Sequence, residues 1–209
     1  MKKIIFSVLS FSVFILTACN NNDSKTNNTE HDMNTMKTDT TQQPVKEEKE
    51  IKTVTVAFTN VDTKVAASVK TIVDHYLHIK NALTNDNGSE AATGAKAMEK
   101  AISSLDKSLF TAEQKKVYDD MEDDLKEHAE HIGKNGDNIK HQRSHFAMLS
   151  EDVYDLVKNF GAGQPIYHDH CPMYNENKGA MWLSEMKEVK NPFYGSEMIT
   201  CGSVEEVIK

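Results

Sequence analysis

The chain has 209 residues, with 32 acidic and 24 basic side chains and a formal net charge of −8 at pH 7. This negative balance argues against nucleic acid or an anionic membrane surface as a binding partner. The length allows one domain with a substantial hydrophobic core, even after an N-terminal leader and a linker are set aside.

The N-terminus has the pattern of a bacterial lipoprotein leader. Lys2 and Lys3 precede an apolar run, residues 4–16, which is shorter than the roughly 20 residues needed to cross a bilayer. The run ends in Leu-Thr-Ala-Cys, which resembles the lipobox at which such leaders are cleaved and the new terminal cysteine is acylated. We therefore predict a signal peptide at 1–18 and a lipid on Cys19 that anchors the protein to a membrane. An ordinary signal peptide with an incidental cysteine is the alternative.

The leader also predicts a location in the cell envelope, facing the periplasm. The outer membrane is preferred because Asn20 stands where lipoproteins kept at the inner membrane often carry Asp. Residues 19–52 are rich in Asn, Thr, Asp, Lys and Glu and contain few bulky apolar residues, so they cannot bury enough surface to offset the entropy of ordering. We predict that this segment is a disordered tether.

Residues 53–165 carry the periodicity of amphipathic helices. A short alternating stretch, 53–58, precedes four segments in which apolar residues recur at steps of three and four. Thr111 and Gln114 form a capping-box pattern at the start of the third segment, and the glycines and proline of 161–165 end the fourth. The four stripes are Val65, Val69, Ile72, Tyr76, Ile79 and Leu83; Ala92, Ala95, Ala101, Ile102 and Leu105; Val117, Met121, Leu125, His128 and Ile132; and Ile139, Phe146, Leu149, Val153, Leu156 and Phe160. The prediction is a mainly all-α fold, an antiparallel four-helix bundle whose stripes are complete without the rest of the chain.

Residues 166–209 lose this periodicity and are predicted to form an irregular or small-hairpin tail of the same domain. Soft metal ligands are concentrated here. Cys171 and Met173 are two residues apart, Met198 and Cys201 are three apart, and His168 lies close by. Thiolate, thioether and imidazole are donors that monovalent copper prefers to oxygen ligands. Further candidates are His170, Met181, Met186 and Trp182, whose ring could cover a bound soft cation.

The same residues allow a structural interpretation. With Cys19 acylated, two cysteines remain in an oxidising compartment, and this even number is typical of a structural disulfide, here Cys171–Cys201. Such a bridge would stabilise the tail by roughly 3–4 kcal/mol on the loop-entropy account. The methionines would then fill an irregular core.

Several motifs resemble one family. They are FxxLS at 146–150, YHxxCPM at 167–173, KGAxWLS at 178–184, NPFYG at 191–195 and MxxCG at 198–202. This pattern resembles the domain of unknown function 3347 family of Gram-negative bacteria, over roughly 61–207. The family is similar to domains appended to membrane-fusion adaptors of copper and heavy-metal efflux pumps, and it also occurs as free lipoproteins. The resemblance implies a small helical bundle and periplasmic handling of copper or a related soft metal. It implies the ligands His168, Cys171, Met173, Met198 and Cys201.

Histidines also recur on the predicted helices. They form the pairs His75 and His78, His128 and His131, and His141 and His145, the last followed by Met148. Pairs at three or four residues can chelate a metal, although most such histidines are surface or core residues. Six of them in one bundle raise the prospect of a second site.

These observations predict a membrane-anchored lipoprotein that binds a soft metal, most simply monovalent copper with zinc as the alternative, for tolerance, efflux or delivery. A metal-efflux or copper-delivery protein is the expected partner. The first alternative is an interaction module of an envelope complex, stapled by Cys171–Cys201. The second is an enzyme with Cys171 as nucleophile, His168 or His170 as base and Asp169 as orienter. We expect no enzyme, because these residues are sequence neighbours whereas active sites usually assemble from distant segments.

Overall fold

The computed structural model describes residues 50–209, which form four packed helices followed by a small mixed sheet of four strands. The predicted leader, Cys19 and residues 20–49 of the predicted tether lie outside the described residues. The helices are α1 (Thr63–Thr84), α2 (Gly88–Ser103), α3 (Ala112–Lys134), α4 (Ile139–Phe160) and the short α5 (Tyr174–Asn177), with 3-10 helices at Lys107–Leu109 and Gly195–Glu197. The strands are β1 (Lys52–Val54), β2 (Ile166–Cys171), β3 (Ala180–Ser184) and β4 (Ser203–Ile208).

Side-chain caps start the four long helices. Asp62, Asn87 and Asn138 each accept a hydrogen bond from a backbone N–H in the first turn of α1, α2 and α4. The capping box predicted for α3 is present, with the side chains of Thr111 and Gln114 each accepting from the other's backbone N–H. These caps satisfy backbone donors that would otherwise lack partners at a helix start. No helix among residues 50–209 is both long and apolar enough to cross a bilayer.

The helical core follows the predicted stripes. Each long helix packs against the next along the chain, and α1 also contacts α4. At the centre, the rings of Tyr76 and Phe146 stack with centroids 5.0 Å apart. The prediction of four packed helices is therefore confirmed.

The tail is more regular than the sequence predicted, because three of its segments are strands of one sheet in the order β1-β4-β2-β3. β1 lies parallel to β4, whereas β2 is antiparallel to both of its neighbours. The alternation at 53–58 thus reflected a strand in part, since β1 covers only its first two residues. A register irregularity at His168 and Asp169 interrupts the pairing of β2 with β4.

The sheet completes the helical core instead of covering it. Trp182 and Leu183 of β3 are fully buried in the same cluster as the helix stripes, together with Phe193 from the loop that follows. Lys80 of α1 is fully buried and its Nζ lies 2.8 Å from Glu185 Oε2, just beyond β3. The predicted stripes were therefore correct as helix faces but not complete as a core.

Candidate metal centres

Three sulfur atoms from the tail lie together at one end of the sheet. Cys171 ends β2 and is buried, whereas Cys201 is half-buried in the turn before β4. Both are free thiols, and their Sγ atoms are 3.3 Å apart. The Sδ of Met173 lies 3.7 Å from Cys201 Sγ. The sulfur cluster, as we call Cys171, Met173 and Cys201, therefore joins two segments about thirty residues apart in sequence.

A buried amide holds the loop that carries Cys201. The Nδ2 of Asn191 donates to the Cys201 carbonyl at 2.7 Å, and its backbone N–H donates to the Ile199 carbonyl at 2.8 Å. Its Oδ1 accepts from the backbone N–H groups of Phe193 and Tyr194. The Asn191 side chain thus links the start of the loop, at Phe193 and Tyr194, to its end at Cys201, and it holds the backbone of Cys201 in place.

Close backbone packing brings that loop against the sheet. Gly202 has a φ of +140°, and a Cβ there would lie 2.8 Å from the Trp182 ring and 2.9 Å from the His170 carbonyl oxygen. Only glycine combines this backbone conformation with so close an approach. On the other side, the Tyr194 hydroxyl donates to the Met173 carbonyl at 3.1 Å. The positions of Cys201 and Met173 are thus set by contacts outside the sulfurs themselves.

The sulfur spacing suits a shared metal ion. Sulfurs bound about 2.3 Å from one ion lie about 4.0 Å apart in a trigonal site and about 4.6 Å apart in a linear one. The observed separations need to open by less than about 1 Å to reach the trigonal value. The pKa of Cys201 is raised, chiefly by its hydrogen bond with Cys171 and then by burial. A metal at this position must therefore displace protons as it binds.

The described contacts of His168 are with residues outside the sulfur cluster. Its ring lies 4.7 Å from that of Tyr154 on α4, and its Nδ1 lies 3.7 Å from a carboxylate oxygen of Glu206 on β4. Burial lowers its pKa, and neither ring nitrogen has a hydrogen-bond partner among the described residues. The contacts of His168 are thus with helix and sheet residues, so its predicted ligand role stays a prediction.

The other predicted tail ligands make contacts of other kinds. Met198 is half-buried, and its backbone carbonyl accepts from the N–H of Cys201 at 3.0 Å. His170 is paired with Met181 across β2 and β3, and Met186 follows β3, where its N–H donates to Ser184. Trp182 packs edge-on against Phe193 inside the core. Its surroundings are those of a core residue, and its predicted role over a cation stays untested.

A second cluster of donors lies between α3 and α4. His131 on α3 and His141 and His145 on α4 each offer a ring nitrogen within 4.8 Å of the others. The Nδ1 of His131 is 3.4 Å from His141 Nε2, and the rings of His131 and His145 stack at 4.1 Å. A fourth imidazole joins them, because His128 Nδ1 is 3.3 Å from His145 Nδ1. We call these four residues the histidine cluster.

Two members of the histidine cluster, His145 and His128, have a lowered pKa, which favours the neutral imidazole. Burial, followed by repulsion from His131, His141 and His128, lowers the pKa of His145 to about 4. Burial also lowers the pKa of His128. Neutral imidazole is the form that binds metals. Beside the cluster, Asp152 lies 3.9 Å from His128 Nε2, and burial with nearby acidic groups raises its pKa to about 7.

Sequence reasoning saw the pairs of the histidine cluster but not their convergence. His128 and His131 are spaced three apart and His141 and His145 four apart, so each pair lies on one helix face. That the two faces meet depends on how the helices pack, which the spacing does not contain. The remaining pair, His75 and His78 on α1, is not part of the cluster. The Nε2 of His78 lies 2.6 Å from Glu90 on α2, in a contact between the two helices.

Comparison with known proteins identifies a family for part of the chain. Residues 72–165 match the profile of a family described as "Protein of unknown function (DUF3347)". The matched segment runs from the third turn of α1 to the residue before β2 and contains the whole histidine cluster. It stops short of the sulfur cluster, so it is shorter than the 61–207 of the resemblance. No curated protein and no solved structure matches the chain.

Proposed function

We propose that this chain, whose residues 72–165 match the DUF3347 family profile, binds monovalent copper through its sulfur cluster. One observation carries the proposal: the thiols of Cys171 and Cys201 and the thioether of Met173 converge from separate segments of the tail. Two thiolates and a thioether form a donor set that suits monovalent copper far better than a hard cation. The role of such binding would be copper tolerance, efflux or delivery.

Exposure of Met173 supports a binding role over a packing role. Met173 is 47% exposed, although a methionine that fills a core is normally buried. Cys171 by contrast is anchored in the core at the end of β2. The cluster thus has one fixed thiol, one half-buried thiol and one accessible thioether, an arrangement that leaves a path for an ion to enter. Met198, in the turn that leads to Cys201, is the proposed fourth donor.

Anaerobic loading with monovalent copper tests the proposal. The full chain should bind one equivalent at the sulfur cluster while a thiol count shows both cysteines reduced beforehand. Cys171→Ser should abolish this equivalent, because a hydroxyl is a poor donor for soft copper. Zinc is the alternative metal, and a competition titration of monovalent copper against zinc shows which ion the sulfur cluster prefers. Copper binding that persists unchanged in Cys171→Ser would overturn the assignment.

A Cys171–Cys201 disulfide is the second candidate, and the short distance between the two sulfurs favours it. In that case the tail would be a stapled interaction module of an envelope complex. Met173 separates the two proposals, since a disulfide requires no thioether beside it. If protein isolated from its native compartment contains no free thiol at Cys171 or Cys201 and no bound copper, the disulfide is favoured.

We propose a non-enzymatic role. The enzyme hypothesis needs a base beside the Cys171 thiol, yet the thiol's contact is with Cys201, and the contacts of His168 are with Tyr154 and Glu206. Turnover of a substrate that depends on Cys171 would support the enzyme instead.

The proposed location is the periplasmic side of the cell envelope, most simply the outer membrane, through a lipid on Cys19. A protein of copper efflux or delivery is the proposed partner, and the acidic charge argues against nucleic acid. Cys19→Ala should remove the acyl chains and shift the protein from the membrane to the soluble fraction. Wild-type protein that is soluble and unacylated in the periplasm would refute the anchor.

A further inference from the structure

The histidine cluster has the geometry of a metal site that differs from the sulfur cluster in every donor. A cation bound about 2.0–2.1 Å from imidazole nitrogens in a tetrahedral site sets those nitrogens about 3.3 Å apart. The Nδ1 of His131 and the Nε2 of His141 are already 3.4 Å apart. His141 and His145, one helical turn apart on α4, provide the second pair on a rigid element.

Packing alone gives little reason for this arrangement. Imidazoles packed this closely repel one another whenever two of them are protonated, and within the described residues the group that converges holds three histidines and no carboxylate. His78 shows the ordinary alternative in this fold, because its ring nitrogen is paired with Glu90. The three residues instead bring a ring nitrogen each within 4.8 Å of the others across the joint between α3 and α4, and the stacked rings of His131 and His145 would turn to direct theirs at one ion.

From this convergence we infer that His131, His141 and His145 bind a divalent late first-row cation, with cupric copper held more tightly than zinc. Imidazole nitrogen suits both ions, and cupric copper leads the affinity order for a given nitrogen site. All three residues are half-buried, so an ion can reach them from solvent. This site does not depend on the sulfur cluster, whose thiolates and thioether select the monovalent ion.

His128 is a positioning residue for this site. Its Nδ1 faces His145 Nδ1 at 3.3 Å, while its Nε2 lies 3.9 Å from the carboxylate of Asp152. Partners of this kind commonly hold a ligating imidazole in the orientation that the metal needs. Acidic residues of α3 and α4, among them Asp124, Glu127 and Glu151, lie close enough to act on His128 electrostatically. Their negative charge would raise the local concentration of cations.

Titration of the full chain carrying Cys171→Ser and Cys201→Ser with cupric and zinc ions, each alone, tests the inference, because this thiol-free background lacks the groups that cupric ion would oxidise and that zinc could bind. It should bind one divalent ion of either kind at the histidine cluster, and bound cupric ion should show the spectroscopic signature of nitrogen ligation. His141→Gln and His131→Gln should each weaken this binding on the order of 100-fold, and His128→Gln about 10-fold. The matched control is His75→Gln, which removes a half-buried α1 histidine outside the cluster and should leave affinity unchanged.

Two further measurements keep the result interpretable. Circular dichroism of the metal-free variants reports folding. In the thiol-free background zinc should raise the melting temperature, but not once His141→Gln is added, since a ligand stabilises only the state that binds it. With both cysteines present, monovalent copper binding at the sulfur cluster should survive in His141→Gln, so failure of one site is distinguishable from failure of the other. Equal affinity of the thiol-free background with and without the ligand substitutions, or equal loss in His75→Gln, would overturn the inference.

Discussion

The hydroxyl of Tyr76, in the middle of α1, accepts a hydrogen bond of 2.9 Å from the backbone N–H of Leu183 in β3. β3 is the edge strand beside β2, so this N–H gains from the helix the partner that a further strand would otherwise supply. Because Ser150 donates its own hydrogen to the Phe146 carbonyl, the Tyr76 hydroxyl donates in turn to Ser150. One phenol thus ties α1, α4 and the sheet edge together.

Tyr76→Phe should therefore lower the free energy of unfolding by about 1–3 kcal/mol, because it leaves the buried N–H of Leu183 without a partner. Chemical denaturation, followed by circular dichroism, measures the change. The helices should still form, since the ring and its stacking on Phe146 are retained.

Tyr118 on α3 provides the matched control. It is also fully buried, but the described residues offer its hydroxyl no hydrogen-bond partner. Tyr118→Phe should therefore be neutral or slightly stabilising. Equal losses in both variants would show that the Leu183 contact contributes nothing specific.

Arg143 on α4 clamps the loop that leads towards Cys201. Its Nε donates to the Pro192 carbonyl at 2.8 Å, and its Nη2 lies 2.6 Å from Asp86 Oδ1. Asp86 also accepts from the backbone N–H of Ser196 at 3.0 Å. Hydrogen bonds with Ser196 and then with Arg143 lower the pKa of Asp86 to about 2.

This depressed pKa predicts a pH dependence of stability. An acid whose pKa is lower in the folded state contributes its full stabilisation above its unfolded pKa, about 3.9, and loses it as the pH falls through the folded value of about 2. The difference in unfolding free energy between wild type and Asp86→Asn should therefore be constant above about pH 5 and shrink towards pH 2. Asp74→Asn, in the exposed pair with Lys70, is the control and should change stability little at any pH. A wild-type advantage that grows on acidification would contradict the prediction.

The helices could be predicted from the sequence because their information is local. The stripe from Val65 to Leu83 is buried as predicted, and the Thr111–Gln114 capping box is formed. The sheet could not be predicted in the same way. β1 and β4 pair in parallel although they lie about 150 residues apart in sequence. The edge strand β3 is held against α1 by a hydrogen bond to the Tyr76 hydroxyl, and no residue spacing in the tail predicts that contact.

The sites show the same division. The residues of the sulfur cluster can be predicted from their chemistry, because Cys171, Met173 and Cys201 stand out as soft donors in a short segment. Their convergence depends on Asn191, whose side chain is no soft donor and which the sequence marks only as part of the NPFYG motif. The histidine cluster depends on how α3 sits against α4, so two local pairs became one site only in three dimensions.

Asn191 should therefore influence copper binding without touching the metal. Asn191→Asp replaces the amide donor with a group that cannot donate to the Cys201 carbonyl when ionised, so the loop that carries Cys201 should loosen. We expect monovalent copper affinity to fall about 10-fold or more, as for other residues that orient ligands. A competition titration with a chromophoric copper chelator measures it.

The control for Asn191 is a second buried amide that serves only the helices. The Nε2 of Gln142 donates to the carbonyls of Gly88 and Ile132. Gln142→Glu should lower stability but leave monovalent copper affinity of the folded protein unchanged. If both variants weaken copper binding equally, the effect of Asn191 is one of general stability.

The sharpest test of the sulfur cluster replaces one sulfur without changing much else. Met173→Leu nearly conserves volume and apolarity, and the side chain is about half exposed, so its effect on apo stability should stay below about 1.5 kcal/mol. The same substitution removes the thioether that lies 3.7 Å from Cys201 Sγ.

We expect Met173→Leu, and separately Met198→Leu, to weaken binding of monovalent copper while zinc binding barely changes, because thioether sulfur is a ligand for copper rather than for zinc. Met121→Leu, within the core face of α3, is the control for loss of a thioether elsewhere and should leave copper affinity intact. Should both tail variants bind copper like wild type, the methionines are structural, the site reduces to the two cysteines with at most a histidine, and zinc becomes as suitable a metal as copper.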